Sequence, residues 1–172
     1  MSERVIFLAA YPQSYICSLL KPSRQQIKPV VFVLNALSGE DTSNHLGHWM
    51  AIYLNYQTLT LGYFNSYMLS LLVNSLVLHA FIQTHTHIAV SRLAYRLQGT
   101  HSVVCGIYAM YFCYLVSHQS LKHAMQCLHM SCSVCIKKGQ YAYNDKLITH
   151  LGYKLFHIPS CVKKKVLLLE LL

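Results

Sequence analysis

A thiol attacks a carbonyl at neutral pH when a base takes its proton, a neighbour holds that base, and a donor meets the oxyanion that forms. Cys105, His48, Asn65 and Gln98 have the residue types for those four roles. Cys105 opens an apolar run to Val116, of helical length but too short to span a bilayer. In the first turn of such a helix the exposed amides and the positive dipole end favour thiolate over thiol. Ser102 has the right type and place to be the N-cap, and Gly106 removes bulk beside the sulfur. His48 precedes Trp49 on an otherwise apolar stretch, where a ring entering the core needs a hydrogen-bond partner. Asn65 can accept from the imidazole N–H and set its tautomer without carrying charge. No carboxylate occurs between Asp41 and Asp145, so an amide is the available orienter. Gln98, seven residues before Cys105, can bring an amide donor to the oxyanion. Each residue also has a plainer reading: a buried cysteine, a satisfied core histidine, a turn asparagine, a loop amide.

The elements that must position these side chains follow from the hydrophobic pattern. Strands are expected at Val5–Ala9, Val30–Leu34, His48–Leu54 and Leu59–Phe64, with a turn at Tyr11-Pro12 and a hairpin turn over Asn55–Thr58. Ser38–Asn44 is a polar loop by composition. Tyr67–Phe81, apolar all round, reads as a buried helix, Ile88–Leu97 as extended, and Leu121–Met130 as a weaker helix. From there to the end the chain is basic and flecked with aromatics. Strands and helices mix without regular βαβ alternation, which predicts an α+β fold in a single domain over residues 1–172.

Composition narrows the partners. Lys plus Arg number 14 against 5 acids, a formal charge of +9, which suits a polyanion such as nucleic acid. Seven cysteines without regular spacing, and no secretory leader at Ser2–Ile6, point to a reducing compartment with thiols unpaired. The best membrane-span candidate, Leu61–Ile82, contains Asn65, Asn74 and His79, each costly in hydrocarbon, so no stable insertion is expected. Cys127, His129, Cys132 and Cys135 are zinc-ligand types, but they crowd into nine residues with no second knuckle, so zinc is not expected. Lys163–Lys165 reads as a solvated run, with nucleic-acid contact as its functional alternative.

Gly47-His48-Trp49-Met50-Ala51, Phe64-Asn65, Gln98 and Ser102-Val-Val-Cys105-Gly106 together resemble the adenovirus-type (adenain-like) cysteine proteases. They resemble more distantly the SUMO-type deconjugating proteases of the same papain-like superfamily. The order His, acid or amide, Gln, Cys agrees with that family. Ile6–Tyr11 and Val31–Asn35 are similar to its N-terminal portion. The resemblance covers residues 5–118 and leaves 119–172 unassigned. It implies a papain-like sheet packed on a buried nucleophile helix. Cys105 would be nucleophile, His48 general base and then acid, Asn65 the orienter, and Gln98 with the Cys105 amide the oxyanion hole. It further implies a monomeric thiol endopeptidase with no cofactor for its chemistry, cutting viral or virus-like capsid and core precursors at glycine-containing sites. The host nucleus or the virion would be its place, with DNA as an activator. Many members carry a carboxylate where Asn65 stands. A disulfide-tethered activating peptide is not expected, because no cysteine lies between Cys17 and Cys105. The alternatives are a deconjugase for ubiquitin-like proteins and a non-enzymatic, basic nucleic-acid-binding protein.

Overall fold

Three near-continuous apolar runs form the middle of a mixed sheet whose two faces are both covered. The computed structural model describes residues 5–12, 15–20, 28–35, 48–68, 76–93, 96–99, 102–137 and 141–157, with side chains of 131–137 outside that description. The strands are β1 (Ile6–Pro12), β2 (Val30–Asn35), β3 (Trp49–Asn55), β4 (Thr60–Phe64) and β5 (Ala89–Arg92). They lie side by side in sequence order, β1 parallel to β2, β3 antiparallel to both its neighbours, and β5 parallel to β4. Among the described residues five helices accompany them: α1 (Ile16–Leu19), α2 (Leu76–Thr84), α3 (Cys105–His118), α4 (Leu121–Lys137) and α5 (Tyr141–Phe156). The fold is α+β, as the pattern predicts.

Alternation along the strands sorts the core into two layers. Val31, Val33, Ala51, Tyr53 and Phe64 face α3, where Tyr108, Ala109 and Phe112 meet them. Val30, Phe32, Leu34, Met50, Ile52 and Leu54 face the other way, onto Ile16, Leu20 and Leu78. Burial on both faces is why these strands lack a polar alternation. Phe64 and Phe112 stack with ring centroids 5.0 Å apart and lie fully buried, tying the end of β4 to the middle of α3. Truncating a buried aromatic of this kind costs about 3–5 kcal/mol. On α3's outer side α5 comes so close that a Cβ on Gly152 would stand 2.4 Å from Ile107 Cγ2. Only glycine permits that approach.

Several local expectations are corrected. Tyr11 and Pro12 extend β1 and pair with Leu34 and Asn35 instead of turning; proline is tolerated there because β1 is an edge strand. Of the helix expected over 67–81, the described residues show Leu76–Thr84, with Leu78 buried and Leu76 exposed, while residues 69–75 lie outside the described residues. Tyr67 and Met68 sit in a turn, with Met68 at φ 59°. Within the extended stretch expected from 88 to 97, Ala89–Arg92 pairs as β5, and residues 94–95 lie outside the described residues. Residues 141–156, read as part of a basic tail, are a helix that buries Asn144, Asp145, Ile148 and Gly152. The expected hairpin is present, its turn closed by Asn55 Oδ1, which accepts from Gln57 N–H at 2.9 Å and Thr58 N–H at 3.2 Å.

The Ser38–Asn44 loop and Lys163–Lys165 lie outside the described residues. Among the described residues no helix is long and apolar enough to cross a membrane, and the proposed span begins in β4. No group of three metal-ligand side chains comes together among them, although Cys132 and Cys135 lie outside that statement.

Candidate active site

The β3–β4 hairpin brings the first two side chains together. Its register pairs Ala51 with Phe64, and extending it three residues sets His48 opposite Tyr67 and beside Asn65. There His48 Nε2 and Asn65 Oδ1 are 2.8 Å apart. The Tyr67 backbone N–H also donates to Asn65 Oδ1, at 2.9 Å, while Asn65 Nδ2 donates to the Tyr63 hydroxyl at 3.0 Å. A backbone N–H cannot accept, so it settles which atom of the Asn65 amide is oxygen. That oxygen obliges His48 Nε2 to carry the proton, and the lone pair of the neutral ring falls on Nδ1. Nδ1 is buried and has no hydrogen-bond partner among the described residues. An oriented imidazole with its basic nitrogen unspent is the outcome. The Tyr67 ring lies against it, 5.0 Å between centroids.

Cys105 is the first residue of α3, as the apolar run predicts, but Ser102 does not cap the helix. Val104 occupies the N-cap position without a side-chain bond, and the Ser102 hydroxyl is buried without a partner among the described residues. The first amides are therefore left to the sulfur: the backbone N–H groups of Trp49, Gly106 and Cys105 itself act on Cys105 in the direction of thiolate. Because Trp49 adjoins His48, the same strand end carries the imidazole and one amide that meets the sulfur. Gly106 faces the Trp49 ring, where an added Cβ would stand 3.5 Å from Cδ1, and not an open approach to the sulfur.

Burial outweighs those amides and pushes the Cys105 thiol above its ordinary value, and burial likewise lowers His48, with the Asn65 bond opposing. Both shifts favour the neutral thiol and the neutral imidazole, so the helix terminus alone does not make a resting thiolate. The sign is direct: a raised thiol pKa means less thiolate at neutral pH. Iodoacetamide alkylation of Cys105, mapped by mass spectrometry, should rise through a midpoint above the ordinary thiol value of 9.0. A plateau already reached on the acid side of neutrality would show a preformed ion pair instead. Cys113, inside α3, is pushed up to about 12 by burial and should stay unlabelled.

Gln98 is fully buried and tied to the segment that follows Asn65. Its Oε1 accepts from Ser66 Oγ at 2.6 Å, and the Leu97 and Gln98 backbone N–H groups both donate to Ser66 O. Its Nε2 donates to Ser102 O at 2.8 Å and to the Tyr67 hydroxyl at 3.2 Å, and that hydroxyl in turn donates to Ser102 O. Burial, and next the nearby Cys105, raise the Tyr67 pKa, which places the phenol within electrostatic reach of the sulfur. Tyr67 thus touches His48, Asn65 and Gln98. Sequence reasoning passed over it, as it did Ser66, since neither residue has a local signal. A cavity of about 660 Å³ lies along β5 and α4, and another of about 610 Å³ lies between the β3–β4 hairpin and the start of α4; none of the four side chains lines either.

No family model matches the chain, and no curated protein matches it. Among solved structures it is similar to the SUMO protease Ulp1 with its catalytic cysteine oxidised to a sulfenic acid, at 13% identity and a TM-score of 0.35, over 73% of this chain and 60% of that one. The sulfinic acid form of Ulp1 gives 14% identity and a TM-score of 0.35, over 74% and 61%. The chain therefore spans about three fifths of the length of the structures it matches.

Proposed function

We propose that this chain is a cysteine endopeptidase with Cys105 as nucleophile and His48 as general base. The observation that carries the reading is the His48–Asn65 pair, which leaves Nδ1 basic and unpartnered on the strand end that also meets the Cys105 sulfur. In the reaction, Cys105 Sγ bonds to the substrate carbonyl carbon as its proton passes to His48 Nδ1, and the carbonyl electron pair moves to oxygen. Gln98 Nε2, exchanging its longer bond to Tyr67, and the Cys105 amide meet that oxyanion. Collapse breaks the C–N bond and the amine leaves with the proton from Nδ1. Water then gives a proton to Nδ1, its oxygen displaces sulfur from the thioester, and the acid is released as the thiol is restored.

The substrate reading comes from the family resemblance of the His-Trp, Asn, Gln and Cys-Gly residues: polypeptides with glycine before the scissile bond. These would be capsid or core precursors of a virus or virus-derived element, in the virion or host nucleus, with DNA as activator. The chain's +9 charge supports DNA only generally. Deconjugation of a ubiquitin-like protein would use the same acyl chemistry, and substrate scope separates the two.

The test is acyl-enzyme formation. N-acetylglycine p-nitrophenyl ester should release a burst of p-nitrophenolate and leave an acyl group on Cys105, found by peptide mapping, and Cys105→Ser should abolish the burst. Acylation spread evenly over exposed thiols such as Cys17, with no burst, would sink the reading in favour of a non-enzymatic basic protein.

A further inference from the structure

The segment that carries Gln98 is held from outside the constellation by one face of α5. Tyr141, Asn144 and Asp145 fall at helical spacing on that face, and the last two are buried. Asp145 Oδ2 accepts from the Gly99 N–H at 3.1 Å, and Asn144 Nδ2 donates to Leu97 O at 3.1 Å. The Tyr108 hydroxyl of α3 lies 3.2 Å from both Leu97 O and Asp145 Oδ1. Arg96, whose Nε donates to Gln98 O at 2.6 Å, has its guanidinium over the Tyr141 ring at 5.0 Å and the Tyr67 ring at 5.8 Å. The backbone on both sides of Gln98 is thus bound to α5, while the side chain between them reaches toward Tyr67 and Ser102. Gly99 sits so close that a Cβ there would stand 3.0 Å from Asp145 Oδ2.

We infer that Asp145, with Asn144 and Tyr141, is a positioning device for the oxyanion donor: α5 sets where the Gln98 amide stands relative to Cys105. The inference rests on the peptidase reading and extends its machinery into the part of the chain that the family resemblance leaves unassigned. Asp145 is placed to act through the 97–99 backbone, which it holds at the Gly99 N–H and, by way of the Tyr108 hydroxyl, at Leu97 O. A donor displaced by a fraction of an ångström stabilises an oxyanion less, while a reaction without an oxyanion is indifferent to it.

The experiment compares two reagents at Cys105. Acylation by N-acetylglycine p-nitrophenyl ester forms a C–S bond, breaks the C–O bond and passes through an oxyanion. Alkylation by iodoacetamide displaces iodide and forms none. Asp145→Ala should lower the acylation rate by about 10- to 100-fold with alkylation unchanged. Asp145→Asn should restore most of the loss, because its amide oxygen can accept from Gly99 N–H while its NH2 donates to the Tyr108 oxygen. Should Asp145→Ala not fold, Tyr108→Phe, which removes the hydroxyl bridging Leu97 and Asp145, carries the test and should lower acylation selectively. An unchanged ratio of the two rates overturns the inference, as does a parallel fall of both, or an Asn variant as impaired as the Ala. Wild-type protein that is alkylated but never acylated would instead overturn the peptidase reading itself.

Discussion

A His48→Ala variant is expected to lose about 10²- to 10⁴-fold in the rate at which N-acetylglycine p-nitrophenyl ester acylates Cys105. The size follows from the resting state. Burial holds the thiol protonated and the imidazole neutral, so sulfur attacks only as Nδ1 takes its proton. Without the ring no described residue replaces that base, and the reaction must wait for the small thiolate fraction in solution. The wild-type rate should rise with pH through the His48 pKa, which burial places below the ordinary 6.5, because only the neutral ring accepts a proton. Asn65→Asp keeps an acceptor for both His48 Nε2 and the Tyr67 N–H but adds a charge that favours imidazolium. Its acid limb should therefore move to higher pH. A stopped-flow pH profile of the three proteins checks all of this; a His48→Ala rate equal to wild type would remove the base from the mechanism.

Gln98→Glu should cost about 10²- to 10³-fold in ester acylation, the range for removing one oxyanion donor, and leave iodoacetamide alkylation near the wild-type rate. The substitution is nearly isosteric, and the surviving oxygen can still accept from Ser66 Oγ. The other position changes sign. Where Nε2 donates to Ser102 O and to Tyr67, a carboxylate oxygen would face the Ser102 carbonyl with no proton between them. Both oxyanion stabilisation and local order suffer, so melting should be followed alongside the two rates. Equal losses in acylation and alkylation would mean that Gln98 only holds the fold. Selective loss of acylation identifies it as the donor.

The residue types suited to thiol chemistry were more legible in the chain than the arrangement that holds them. Val30–Leu34 and His48–Leu54 declared strands through β-branched and aromatic content, and Cys105–Val116 declared a buried helix through its length and unbroken apolarity. Those signals are local, and a sheet covered on both faces makes them strong. The same apolarity misled at Tyr67 and Met68. There Asn65 Oδ1 accepts from the Tyr67 N–H and Met68 takes a positive φ, and neither shows in hydrophobic periodicity. Ser102 failed as a cap for a related reason. Its carbonyl is claimed by Gln98 and Tyr67, and the first amides of α3 turn to the sulfur, which residue type and place cannot foretell.

The sequence by itself therefore determined the α+β class, the central strands, the buried helix headed by Cys105, and the candidate quartet of His48, Asn65, Gln98 and Cys105. Only the tertiary structure decided which nitrogen of His48 is basic, that Tyr67 and Ser66 join the constellation, and that α5 grips the Gln98 segment. The physical reason is range. Ser66 to Gln98 spans 32 residues, Gly99 to Asp145 spans 46 and Leu97 to Asn144 spans 47, and such bonds leave no periodicity behind. A buried Asn or Asp looks the same in sequence whether it faces water or a backbone group a quarter of the chain away. Burial alone makes it choose a partner.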